Sequence, residues 1–166
     1  MKKTKKKVQP IPEGYPVLMP YFMIPGAAKA IDFYKKAFGA KERLRIDAPG
    51  GLIGHSELTL GESVLMLADE FPGMGMSSPA TLKGTTVSFM VYVKDVDAAF
   101  SRAIAAGAVP VHPPQDKFYG DRSCTLTDPF GHLWSLATHI EDMSPKEMKR
   151  RASVEAAKMA QKSAQG

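Results

Sequence analysis

Hydrophobic and polar positions change period several times along this chain, and the changes occur in the same order twice. Val17–Ile24, VLMPYFMI, is an apolar run that predicts a first strand. Pro20 inside it points to an edge or a bulge, because proline brings no N–H to a sheet ladder. Pro25-Gly26 breaks the run. In Ala27–Phe38 the residues Ala30, Ile31, Tyr34, Ala37 and Phe38 recur at helical spacing, and Gly39 supplies the C-cap. Lys41–Asp47 predicts a polar outer strand, Pro49-Gly50-Gly51 a turn, and Leu52–Leu60 with Ser63–Ala68 a pair of strands about Gly61. Asp69–Gly84 has no period and is punctuated by Pro72, Gly73, Gly75, Pro79 and Gly84, which reads as a linker or a lid.

The pattern then restarts. Thr85–Val93 predicts a strand, and Val96–Ala106 a helix capped by Asp95 and ended by Gly107. Ala108–His112 is an outer strand, and Ser123–Thr127 and Leu133–Thr138 flank the turn Asp128-Pro129-Phe130-Gly131. Gly39 to Gly107 and Leu58 to Leu126 are both 68 residues, and Met19 to Ser88 is 69. A β-α-β-β-β unit therefore occurs twice, in an α+β chain. Beyond it, Ser144-Pro145-Lys146-Glu147 is a capping box. It opens a basic, Ala-rich helix whose stripe Met148, Ala152, Ala156, Met159 packs on its own domain or on a second copy.

Charge changes this picture little. Five of the 22 Lys and Arg residues are Lys2, Lys3, Lys5, Lys6 and Lys7, and without them basic and acidic residues balance at 17 each. The +5 net charge thus belongs to a solubilising tail, and no nucleic acid is expected as a partner. No apolar run reaches the roughly 18 residues of a membrane span, and the basic start lacks the apolar stretch of a secretory signal. A single cysteine, Cys124, fits a reducing, cytoplasmic location.

Strand parity nominates the chemistry. With Leu58 and Leu60 in the core, His55, Glu57 and Thr59 point to the other face. The 68-residue offset carries His55 to Ser123 and Glu57 to Thr125, with Asp121 one step earlier. Ser88, Met90 and Tyr92 share a face, as do Met19, Tyr21 and Met23, and Ser135 faces inward beside Leu133 and Ala137. Tyr21, Met66, Ser88, Met90, Asp121, Ser123 and Ser135 are thereby expected ligand contacts, a flexible apolar wall with a few polar handles, although the methionines read equally as core filling. Tyr119 and Arg122, at the mouth of the last hairpin, read as a clamp for an anionic ligand or, for Arg122, as a surface ion pair. His55 with Glu57 reads either as a structural hydrogen-bonded pair or as a general base with its orienting carboxylate. Cys124 faces opposite to Ser123 and reads as a buried, inert thiol. His132 and His139 read as local hydrogen-bond partners.

AIDFYKKAFGA in the first helix and LTDPFGHLWSL at the end of the repeat, set in this paired unit, resemble the vicinal oxygen chelate superfamily of glyoxalase I, extradiol dioxygenases and bleomycin resistance proteins. HSELTLGESVLMLADEFP and FYGDRSCTLTDPFGHLWSLATH are similar to its PhnB-like branch. The resemblance implies a glyoxalase-like domain over residues 17–139, with units 17–69 and 85–139 joined by the linker 70–84. Residues 1–16 are then a disordered basic tail and linker, and 140–166 a C-terminal helical tail. It further implies that the units curl into an incomplete β-barrel around a ligand cavity, in a homodimer. Metal-dependent members coordinate their ion through two side chains from each unit. Alignment carries those positions to Met19, Met66, Ser88 and Ser135, a thioether and hydroxyl set poorly suited to a divalent ion. The expectation is a cofactor-free, metal-free cavity for a small hydrophobic or aromatic molecule. The alternative is a superfamily enzyme of lyase, isomerase or dioxygenase type, using His55 acid–base chemistry or a non-standard metal at His55, Glu57 and Asp121. No glycine-rich cofactor loop follows a strand to support the methyl transfer with which the branch has been labelled.

Overall fold

A computed structural model describes residues 8–163. The chain divides into two units, one running to Lys35 and including Gly39–Ser78, the other comprising Lys36–Phe38 and the chain from Pro79 onward. In the first, β1 (Tyr21–Ile24) leads through α1 (Ala27–Phe38) to β2 (Lys41–Ala48), β3 (Leu52–Leu60) and β4 (Ser63–Asp69). The sheet order is β1-β4-β3-β2, with β1 parallel to β4 and the other pairs antiparallel. A helical turn at Pro72–Met74, a bridge between Phe71 and Met76, and the short α2 (Pro79–Leu82) occupy the stretch read as a linker. The second unit repeats the plan. β5 (Ser88–Tyr92), α3 (Val96–Ala105), β6 (Val109–Asp116), β7 (Asp121–Thr127) and β8 (Leu133–His139) give the order β5-β8-β7-β6, again with one parallel pair. The helix α4 (Pro145–Ser163) follows, with the Ser144 hydroxyl accepting the Glu147 N–H at 3.2 Å. The fold is therefore α+β, a tandem of β-α-β-β-β units plus a C-terminal helix.

Each sheet buries one face. Phe22, Ile24, Leu58, Leu65 and Leu67 are buried with Ala27, Ala30, Ile31 and Tyr34 of α1, and the Phe22 and Tyr34 rings meet edge to face at 6.2 Å. In the second unit α3 lies across β6, β7 and β8 and buries Val96, Ala99 and Ala103. Trp134 packs against Phe89 at 5.2 Å, and its indole donates to the buried Asp128 at 2.9 Å. Asp128 also accepts the Phe130 and His132 N–H groups, so one carboxylate ties the final turn together.

Both helices are started from the end of a strand. Gly26, the N-cap of α1, has no side chain to offer. Asp69 at the end of β4 supplies the cap, with Oδ1 accepting from Gly26 N at 2.8 Å and Ala27 N at 3.0 Å, and Oδ2 accepting from Ile53 N at 2.7 Å. Thr138, 69 residues later, accepts from Val96 N and donates to the Val93 carbonyl, both at 2.9 Å. Asp95 adds its own cap to α3 through Ala98 N.

Some ends differ from the sequence pattern. β1 begins at Tyr21 rather than Val17, because Pro20 cannot donate, although its carbonyl accepts Met66 N at 3.0 Å. β5 begins at Ser88 rather than Thr85, whose hydroxyl closes a local turn on Val87. β6 runs to Asp116 through Pro110, Pro113 and Pro114, an edge strand with two register shifts. α3 is capped at Ala106, one residue before Gly107. The lysine-rich start, residues 1–7, lies outside the described residues.

Candidate functional site

On the first sheet, the alternation that buries Leu58 turns His55 and Glu57 to the opposite face. Glu57 is only 3% exposed, so its carboxylate needs partners, and it has three. The Tyr15 hydroxyl donates to both carboxylate oxygens at 3.0 Å, Arg43 Nε lies 3.2 Å from Oε2, and His55 Nε2 lies 3.2 Å from Oε1. Arg43 sits at a register shift between β2 and β3, where the extra residue re-aims a side chain toward this face. Its guanidinium covers the Tyr15 ring at 4.3 Å and donates to the Gly14 carbonyl. On the far side of the imidazole, the Tyr21 hydroxyl is 2.8 Å from His55 Nδ1. The register places Met66 between Tyr21 and Glu57. The hydrogen bond to Glu57 raises the Tyr15 phenol above its ordinary pKa, and burial, then the charge of Glu57, raises that of Tyr21.

The open face of the second sheet is built differently. Across it Met90 lies beside Ser135 and Ser135 beside Thr125, while Tyr92 lies beside Ala137 and Ala137 beside Ser123. Ser88 is opposite Leu133. Tyr92 donates to the buried Asp121 at 2.7 Å, and His139 bridges Asp121 at 2.8 Å and Asp142 at 3.0 Å. Tyr119 approaches Ser123, and Thr125 approaches Ser135, each at 3.5 Å. The hydrogen bond to Asp121 raises the Tyr92 phenol.

The hydrogen bonds to Asp121 and then Asp142 raise the His139 imidazole above its ordinary value. His139 therefore binds its proton more tightly folded than unfolded. The resulting stability is complete below the unfolded pKa and is lost as pH rises through the folded one. Melting curves of wild type and His139→Gln should differ most at about pH 5 and converge by about pH 9; a gap that widened with pH would contradict this assignment.

The structure thus groups His55, Glu57, Tyr21 and Met66 on one face of the first sheet. It groups Ser88, Met90, Asp121, Ser123 and Ser135 on one face of the second, with Tyr119 beside Ser123. Arg122 is not among them. Adjacent strand residues point to opposite faces, and Arg122 pairs with Asp97 of α3 at 2.7 and 2.8 Å and with Asp116 at 2.9 Å. Those carboxylates raise its pKa further. Cys124 is buried on the same side, and burial raises its thiol. Met19 precedes β1, and Tyr21 rather than Met19 stands beside Met66, as Met90 rather than Ser88 stands beside Ser135. Phenol, thioether and hydroxyl groups at these positions do not fit a divalent cation. Among the described residues no three His, Cys, Asp or Glu side chains converge on a cation site. Sequence reading missed Tyr15 and Arg43. Tyr15 lies in a proline-rich stretch with no period, and Arg43 reaches Glu57 only through a bulge that periodicity does not show.

Residues 21–136 match the model of the Glyoxalase/Bleomycin resistance protein/Dioxygenase superfamily. An uncharacterized protein of Mycobacterium bovis, Mb0911c, is 42% identical over 136 residues, covering 80% of this chain and 90% of that one. TioX from Micromonospora sp. ML1 superposes with a TM-score of 0.59 at 29% identity, covering 78% of this chain and 100% of its own. The At5g48480 product of Arabidopsis thaliana gives 0.60 at 29% identity, covering 74% and 98%.

Proposed function

This chain belongs to the glyoxalase/bleomycin resistance protein/dioxygenase superfamily, and from that premise we propose that it binds a small hydrophobic or aromatic molecule without a metal ion. The observation that carries the reading is the make-up of the open sheet faces. Tyr21, Met90 and Tyr92 are 44%, 52% and 62% exposed there, beside Met66 and the hydroxyls of Ser123, Thr125 and Ser135. Methionines placed to fill a core would be buried; Met90 instead offers a polarisable surface to a partner. The same reading takes the protein as a PhnB-like member, on the segments HSELTLGESVLMLADEFP and FYGDRSCTLTDPFGHLWSLATH, and as a cytoplasmic homodimer.

Protein stripped with chelator should bind aromatic compounds such as nitrobenzene and melt at a higher temperature in their presence, with the same shift before and after stripping. A shift that appears only when a divalent cation is restored would overturn the proposal. A second reading, an enzyme that uses His55 acid–base chemistry, is favoured by the chain of contacts from Glu57 through His55 to Tyr21. Turnover by wild type in chelator, lost in His55→Ala, would select it over simple binding.

A further inference from the structure

We infer that Tyr21, His55 and Glu57 form a proton relay, so that the molecule taken at this face is a weak acid carrying an O–H or N–H on an aromatic body. The inference rests on the reading above that a small molecule binds here, and it names the chemical class.

Glu57 is an acceptor toward both Tyr15 and Arg43, so the nitrogen of His55 that faces it, Nε2, is the one bearing hydrogen. Nδ1 is then the acceptor for the Tyr21 hydroxyl at 2.8 Å. The order is a buried carboxylate, an imidazole it orients, and a hydroxyl that the imidazole can deprotonate, the arrangement that activates hydroxyls in hydrolases. Here the outer hydroxyl is a phenol, 44% exposed. Because its hydrogen is committed to His55, its oxygen presents lone pairs to the open face and selects a ligand with a donor. On the second sheet Tyr92 donates to Asp121 directly, with no imidazole between them.

The step balances without any co-reactant. The ligand O–H or N–H bond breaks and its proton bonds to Tyr21 Oη. The original Tyr21 proton passes to His55 Nδ1, and the electron pair stays on the ligand. The products are a ligand anion and an imidazolium next to Glu57. Burial and the charge of Glu57 hold the Tyr21 phenol above its ordinary value, so Tyr21 passes a proton on and does not rest as an anion.

Para-nitrophenol, whose anion is coloured, is the probe. Bound to wild type it should ionise about one pH unit lower than in buffer, a tenfold change in its ionisation constant. Nitrogen NMR should show His55 Nδ1 becoming protonated as the probe is added. Tyr21→Phe keeps the ring but loses the acceptor oxygen, so it should weaken binding of the probe and return the ionisation of what is bound to the buffer value; His55→Gln should likewise return that ionisation to the buffer value. An unshifted transition in wild type, an equal shift in Tyr21→Phe, or no binding of para-nitrophenol overturns the relay. Nitrobenzene, which has no proton to give, separates the two proposals. If it binds while the relay fails, only the relay is lost; if neither compound binds, both fall.

Discussion

Asp69→Ala is expected to lower the free energy of unfolding by about 4 kcal/mol, among the larger losses a single substitution produces. Asp69 is buried and accepts three backbone N–H groups, from Gly26, Ala27 and Ile53. Alanine would leave the buried Ala27 and Ile53 N–H groups without an acceptor, at about 1–3 kcal/mol per group before relaxation, while the exposed Gly26 N–H could turn to water. The loss is structural as well as energetic. α1 begins at a glycine with no capping side chain, so its first turn depends on β4, and β3 is tied to the same carboxylate. Asp69→Asn keeps one acceptor oxygen and should lose less. Denaturant titration measures both, and a loss below about 1 kcal/mol for alanine would show that α1 starts without help from β4.

Gly120→Ala should cost about 3 kcal/mol. Gly120 has φ 90°, a conformation that disfavours any side chain. An added methyl would overlap the Glu141 carbonyl and stand 2.9 Å from Met143 Cε. Methionine can swing aside; the carbonyl cannot, because the Ile140 and Glu141 N–H groups both donate to Gly120 O, at 2.9 and 3.0 Å. The substitution therefore pries the turn before β7 from the segment after β8. Tyr119 and Asp121 flank this position, so the Tyr92–Asp121 and His139–Asp121 bonds should loosen and the His139 pKa should fall toward its ordinary value. Denaturant titration reads the stability and proton NMR of His139 reads the coupling. A stable variant with an unchanged His139 titration would contradict this role for Gly120.

What sequence reading could see was local. The bounds of α1 agree with its helical period and the left-handed cap at Gly39, because both signals sit within the segment. The placement of His55 and Glu57 opposite Leu58 follows from the period of two in β3. That period specifies a face and leaves the row open. Met19 and Ser88 share parity with Tyr21 and Met90, yet the latter pair stands beside Met66 and Ser135. The row is fixed by the partner strand, and at β1 by the missing N–H of Pro20. Side chains that arrive from elsewhere gave no signal. Tyr15 comes from an aperiodic stretch and Arg43 from a bulge, and the Asp69 cap joins residues 43 positions apart. Arg122 takes the surface ion pair, one of the two readings of it, for a simpler reason. Its neighbours Asp121 and Ser123 share a face that Arg122 cannot share, and Asp97 on α3 was waiting on the other.

Methyl NMR of methionine-labelled protein in excess chelator, titrated with nitrobenzene, tests metal-free binding at the open sheet faces most directly. Shifts at Met66 or Met90, unchanged when divalent cations are restored, are the predicted result. Shifts confined to Met148 and Met159 of α4, or appearing only once a divalent cation is added, would contradict it.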